Sequence, residues 1–88
     1  MKKYSVVLTR SAEKSLSKLP KSVTKSIVSI LVSLETNPRP AGCKKLKGYK
    51  NYWRVRYGDY RIIYSIEEVI LLVDVYEIGH RKDIYDQL

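Results

Sequence analysis

Cysteine, histidine and glycine are scarce in this chain, and each scarcity removes a class of chemistry. Cys43 is the only cysteine among 88 residues, so an internal disulfide and a cysteine-based metal site are both excluded. His80 is the only histidine, which excludes a metal-binding helix of paired histidines. The four glycines fall in no phosphate-loop pattern, and no carboxylates cluster at metal spacing. Neither a metal nor a cofactor is expected. No apolar run approaches the ~20 residues that a membrane-spanning helix needs. The opening MKKYSVVLTRS has an apolar run too short, and too soon broken by Arg10, for a secretory signal. A cytoplasmic protein without membrane contact is expected.

Positive charge is what the chain has in plenty. The net charge is +8, and it is unevenly placed. Residues 39–61 carry Arg39, Lys44, Lys45, Lys47, Lys50, Arg54, Arg56 and Arg61 against Asp59 alone, a net of +7. Residues 62–88 carry six acidic and two basic residues, a net of −4. A concentrated basic patch on a small domain points to nucleic acid or to an acidic protein partner. At this length, residues 1–88 make one domain with a single core.

Hydrophobic periodicity gives the order of elements. Residues 3–9 read as a strand. Ser11 to Leu19 reads as a short helix with Ala12, Leu16 and Leu19 along one stripe, closed by Leu19-Pro20. A longer helix begins at Lys21 or Ser22 and runs to about Glu35, with Val23, Ile27, Ile30, Leu31 and Leu34 as its buried stripe. Pro38 and Pro40 stop it. Ala41 to Asn51 reads as a basic loop, mobile enough through Gly42 and Gly48 to close over a ligand. Two further strands flank Gly58-Asp59, and a second turn at Glu67-Glu68 leads into an apolar strand over Val69 to Ile78. The expected fold class is α+β: a mostly antiparallel sheet in βααβββ order, with both helices on one face and the other face open. The place of the first strand in the sheet does not follow from the sequence.

Tyr52 to Tyr64, YWRVRYGDYRIIY, is the stretch around which function is read. Gly58-Asp59 suits a two-residue hairpin turn, and that loop length pairs Tyr57 with Tyr60, Arg56 with Arg61, Val55 with Ile62, Arg54 with Ile63 and Trp53 with Tyr64. One face then carries Trp53, Val55, Tyr57, Tyr60, Ile62 and Tyr64 as core, and the other carries Arg54, Arg56 and Arg61. Charges ~5 Å apart repel by roughly 3 kcal/mol at an effective dielectric of 20, a cost that a bound phosphate would remove. Two bland alternatives stand beside this: arginines fanned into water, or a salt bridge from Asp74. A two-residue second loop would set Asp74 opposite Arg61 and Val73 opposite Ile62.

Cations with tyrosines can support cleavage of RNA, whose own 2′-hydroxyl is the nucleophile. Arginine stabilises charge well but abstracts protons badly, so His80 or Tyr85 would move the proton, or Arg81 would act as a donor. Tyr52 and Tyr76 fall on the arginine side, where they could stack on a base. Lys44, Lys45, Lys47 and Lys50 would steer nucleic acid without reading sequence.

The succession YWRVRYGDYRIIY, an acidic turn, an apolar strand and IGHRKDIY resembles the RelE family of the RelE/ParE toxin superfamily. The opening strand before SAEKSLSKLP and the helix ending at ETNPRP resemble it too. The resemblance covers nearly the whole chain. It implies a RelE-like fold and a type II toxin silenced by a cognate antitoxin. It further implies a metal-independent endoribonuclease that cuts messenger RNA in the ribosomal A site, with 16S rRNA contacts, and so stops translation. The catalytic set it implies is Arg54, Arg56, Arg61, Arg81 and Tyr85, with Lys44, Lys45, Lys47, Lys50 and His80 binding RNA. The chain departs from the family in having arginine where some members have lysine on the second strand, and in a shorter Arg81–Tyr85 segment. Two alternatives remain open: a ParE-like inhibitor of DNA gyrase, and a non-catalytic basic nucleic-acid-binding module.

Overall fold

A computed structural model describes residues 3–82. Its elements are β1 (Ser5–Leu8), α1 (Arg10–Ser17), α2 (Lys21–Ser33), β2 (Lys44–Lys45), β3 (Tyr52–Tyr57), β4 (Tyr60–Glu67) and β5 (Leu72–His80). The strands form one sheet in the order β1-β5-β4-β3-β2, antiparallel except where β1 runs parallel to β5. The α+β class and the helix pair thus stand as expected. The edge position of β1 and the existence of β2 are additions, and β2 lies inside the segment read as a closing loop.

Local chemistry explains the helix limits. Thr9 caps α1 by accepting a hydrogen bond from the Ala12 amide at 3.1 Å. Pro20 sits at the N-cap of α2, just before the helical turns begin, where a missing amide hydrogen costs little. Helix residues Ala12, Ile27, Leu31 and Leu34 then pack with Val55, Ile62, Tyr64, Ile66, Val73, Val75 and Ile78 in one core. Those sheet residues lie on one face of the sheet, so both helices cover the same side.

The β3–β4 hairpin has the expected register throughout, including Arg56 opposite Arg61 and Val55 opposite Ile62. Gly58 adopts φ +56°, whereas Asp59 does not enter the positive-φ region. That combination suits a two-residue primed turn with glycine first.

The second hairpin differs from the expectation. Its loop is four residues, Glu68 to Leu71, because Glu67 pairs with Leu72. Leu71 takes φ 52°, and Val69 and Ile70 lie exposed in the turn rather than in a strand. A bulge at Tyr76 then shifts the register, so that Ile63 pairs with Glu77 and Tyr64 with Val75. One inserted residue reverses which side chains face the core, and this brings Ile78 into it. Arg61 therefore lies opposite Gly79 and Ile62 opposite Ile78, while Asp74 pairs with Ser65. The anticipated Arg61–Asp74 cross-strand pair does not form.

The arginine-bearing face is also not open at its centre. Arg61, Ile63 and Ser65 on β4 are all buried. Tyr52 on β3 and Tyr76 on β5 meet edge to face, ring centroids 5.8 Å apart. Their rings reach toward each other across the intervening β4.

Candidate nucleic-acid interface

The hairpin sets Arg54 and Arg56 on the sheet face away from the helices, because alternate residues of a strand share a face. The short β2 adds to them. Lys44 pairs with Arg54, and Lys45 with Trp53, so Lys44 joins the arginine face while Lys45 stands on the register of the core side. Lys47 and Lys50 are exposed in the turn between β2 and β3. Sequence periodicity missed the Lys44–Arg54 pairing, since a two-residue strand contains no period to detect.

The arginines differ in character. Arg56 is exposed and lines a cleft of about 440 Å³ with Ala41, Gly42, Val55 and Gly58. Arg54 is half-buried. Arg61 is only 5% exposed, and its Nη1 donates to the carbonyls of Gly58 and Tyr60, each at 3.0 Å. Its Nε has no hydrogen-bond acceptor among the described residues. Gly79 opposite leaves no side chain in its way. Arg61 thus secures the hairpin turn with part of its fork, and the repulsion expected from Arg56 is lessened by those carbonyl dipoles.

Arg81 follows β5 and is tied to the same turn. Its amide donates to the Asp59 carbonyl at 2.7 Å, and its Nε lies 3.9 Å from the Asp59 carboxylate. Both side chains are more than half exposed, so the ion pair holds Arg81 loosely at the rim of the arginine face. His80 pairs with Tyr60 in register and touches its ring edge to face at 5.7 Å. Its Nδ1 accepts from the Lys82 amide at 3.3 Å. It stands on the Tyr60 side of β5, one residue from Gly79 and the Arg61 register. Tyr85 lies outside the described residues.

Two features beside this face escaped the sequence reading. Arg39 sits over the Trp53 ring at 5.0 Å and pairs with Glu68 at 2.6 Å, which ties the segment after α2 to the β4–β5 turn. Glu77 is buried and accepts from the Ser11 and Ser15 hydroxyls at 2.8 and 3.0 Å and from the Ile78 amide at 3.1 Å. Those bonds satisfy its carboxylate and fasten α1 to β5. The serine spacing i, i+4 on α1 was a visible signal for a shared acceptor, but nothing in the sequence pointed to Glu77.

The assembled surface presents Lys44, Arg54 and Arg56 side by side, with Arg81 at the rim. Such a surface can grip one or more phosphates bidentately and offset charge that develops on phosphoryl oxygens.

Known proteins resemble this chain in sequence and fold. The sequence profile of the "ParE toxin of type II toxin-antitoxin system, parDE" family matches residues 6–85. Toxin RelE3 of Methanocaldococcus jannaschii is 32% identical over 92% of this chain and 94% of its own length. The crystal structure of the RelE–RelB complex from Pyrococcus horikoshii superposes with TM-score 0.81 at 28% identity, covering 90% of this chain and 96% of that one. The toxin–antitoxin complex RelBE2 from Mycobacterium tuberculosis gives TM-score 0.77 at 27% identity, covering 90% and 99%.

Proposed function

The chain belongs to the RelE family of type II toxins, within the RelE/ParE superfamily, and from that premise we propose that it is a ribosome-dependent endoribonuclease of messenger RNA. The observation that carries this reading is the meeting of Lys44, Arg54 and Arg56 on one sheet face, with Arg81 held at its edge by Asp59. In the proposed reaction the 2′-hydroxyl attacks the adjacent phosphorus. The P–O5′ bond breaks, leaving a 2′,3′-cyclic phosphate and a 5′-hydroxyl end. Arg54 and Arg56 would balance the charge gathering on the non-bridging oxygens. Arg61 would fix the hairpin turn and hence the position of both. Tyr85 would take the hydroxyl proton or return one to the leaving oxygen, because His80 stands on the Tyr60 side of β5, away from Arg54 and Arg56. The mRNA would be presented in the ribosomal A site, with Lys45, Lys47 and Lys50 contacting ribosomal RNA phosphates.

In the cell the protein would act in the cytoplasm under the control of a cognate antitoxin. Support for that partner comes from the two similar structures, both of them toxin–antitoxin complexes. A second reading, inhibition of DNA gyrase, draws on the ParE description of the matching family profile.

One experiment separates the two. Messenger RNA 5′ ends are mapped shortly after induction, with plasmid supercoiling assayed in parallel. Codon-phased new ends are expected, whereas gyrase–DNA adducts with intact messages would sink the ribonuclease reading. Arg81→Ala and Tyr85→Phe should each relieve growth arrest while antitoxin binding persists. Undiminished toxicity in both would show that the catalytic set is wrongly drawn.

A further inference from the structure

Three tyrosines make a connected group beside the arginines. Tyr49 and Tyr52 have ring centroids 6.3 Å apart at 53°, and Tyr52 and Tyr76 are 5.8 Å apart at 77°. Tyr52 shares its strand face with Arg54 two residues on, about 7 Å along β3. The Tyr52–Tyr76 contact helps to close the sheet over Ile63, which is fully buried. Covering Ile63 does not account for the rest of the group. Tyr49 remains 42% exposed and Tyr76 46% exposed, and a leucine could cover Ile63 equally well.

We propose that this tyrosine cluster is a stacking platform for an unpaired nucleobase of the RNA held by Arg54 and Arg56. The proposal rests on the nucleic-acid reading of this face and extends it from phosphate to base. The charge setting favours a nucleobase over an acidic peptide. A ring cluster set beside cations on one sheet face suits a chain that carries flat bases next to phosphates, and stacking accepts any base because every base has a π-face. Alternation along β5 places Tyr76 on the face opposite Val73 and Val75, the same face as Tyr52, and the bulge changes the register only beyond it. The platform lies at the β2–β3 turn end of the face, and Arg56 and Arg81 lie at the Gly58-Asp59 end. The RNA would therefore run along β3, with the stacked base on one side of the gripped phosphate.

The test uses the full chain and two probes of similar charge: a short single-stranded 2′-O-methyl oligoribonucleotide, which cannot be cleaved, and linear polyphosphate, which has no bases. The double variant Tyr49→Leu/Tyr76→Leu keeps apolar cover over Ile63 and removes two rings. It should bind the oligonucleotide about 5-fold to 150-fold more weakly, the range expected for one lost base stack, with polyphosphate affinity unchanged. Tyr76→Phe should bind as wild type does. Equal loss for both probes, or no loss for either, overturns the proposal. So does a variant that loses antitoxin binding while keeping its RNA affinity, since the rings would then serve a protein partner. Wild-type protein that binds polyphosphate but not the oligonucleotide overturns it too. Base-dependent binding without cleavage on the ribosome would instead sink the ribonuclease reading and leave the platform standing.

Discussion

A hydroxyl taken out of water must find a partner, and Tyr64 does so. Its ring is fully buried in the core, and its hydroxyl donates to the Pro38 carbonyl at 2.6 Å. The hydrogen bond links the central strand to the proline segment after α2, and so helps to fix the approach to β2. Burial pushes the phenol well above its ordinary value near 10, with Cys43 adding to the rise and Arg39 opposing it. The folded state therefore favours the neutral phenol more than the unfolded chain does. That contribution is complete below about pH 10 and is lost as pH rises through the alkaline range. Tyr64→Phe should cost about 1 kcal/mol at pH 7, because the Pro38 carbonyl loses its donor. Urea melts from pH 7 to 11 should show wild-type stability falling more steeply above pH 10 than that of the variant. Parallel curves would mean that Tyr64 ionises as readily folded as unfolded.

At the scale of elements, the β3–β4 hairpin was legible because its register is carried by two local signals, alternation and a Gly58-Asp59 turn. The β4–β5 hairpin was not. Val69 and Ile70 look like the start of a strand, yet both are exposed in a four-residue turn, and the Tyr76 bulge then resets the register. Bulge and loop length are chosen by packing against α1 and β3, partners distant in sequence. The site divides along the same line. Arg54, Arg56 and Arg61 were assigned to one face from alternation alone, whereas the arrival of Lys44 depends on β2, and the unequal roles of the arginines depend on side-chain direction. Those roles lead to a contrast between neighbours. Arg61→Ala removes two hydrogen bonds to the turn and should destabilise the fold by about 3–6 kcal/mol, at about 1.5–3 kcal/mol for each charge-assisted bond. Arg56→Ala, on an exposed position, should stay within about 0.5 kcal/mol of wild type and yet weaken RNA binding. Chemical denaturation of the two variants beside an RNA-binding assay checks this. A stable Arg61→Ala protein would remove the structural role given to that side chain.

For the whole molecule, charge and topology divide the work. The helices and one sheet face close the core, so the proposed RNA-binding surface falls to the opposite face and its two rims. The segment holding β2, β3 and the hairpin turn carries a net +7, while the chain beyond it carries −4. The positive charge is thus localised in sequence, and on the proposed function an RNA would be drawn chiefly to Lys44, Arg54, Arg56 and Arg81. Four phosphate contacts on a single strand should give a log–log slope of affinity against salt of about −3, at roughly −0.7 per neutralised phosphate. Arg56→Gln should weaken binding to all sequences alike and reduce the slope by about 0.7, since one fewer counterion is displaced. The matched Lys25→Gln change on exposed α2 should leave the slope as it is. Titrations of a short RNA between about 50 and 200 mM salt measure both. If Lys25→Gln lowers the slope as much as Arg56→Gln, binding is spread over the whole cationic surface, and the sheet face has no special claim to the RNA.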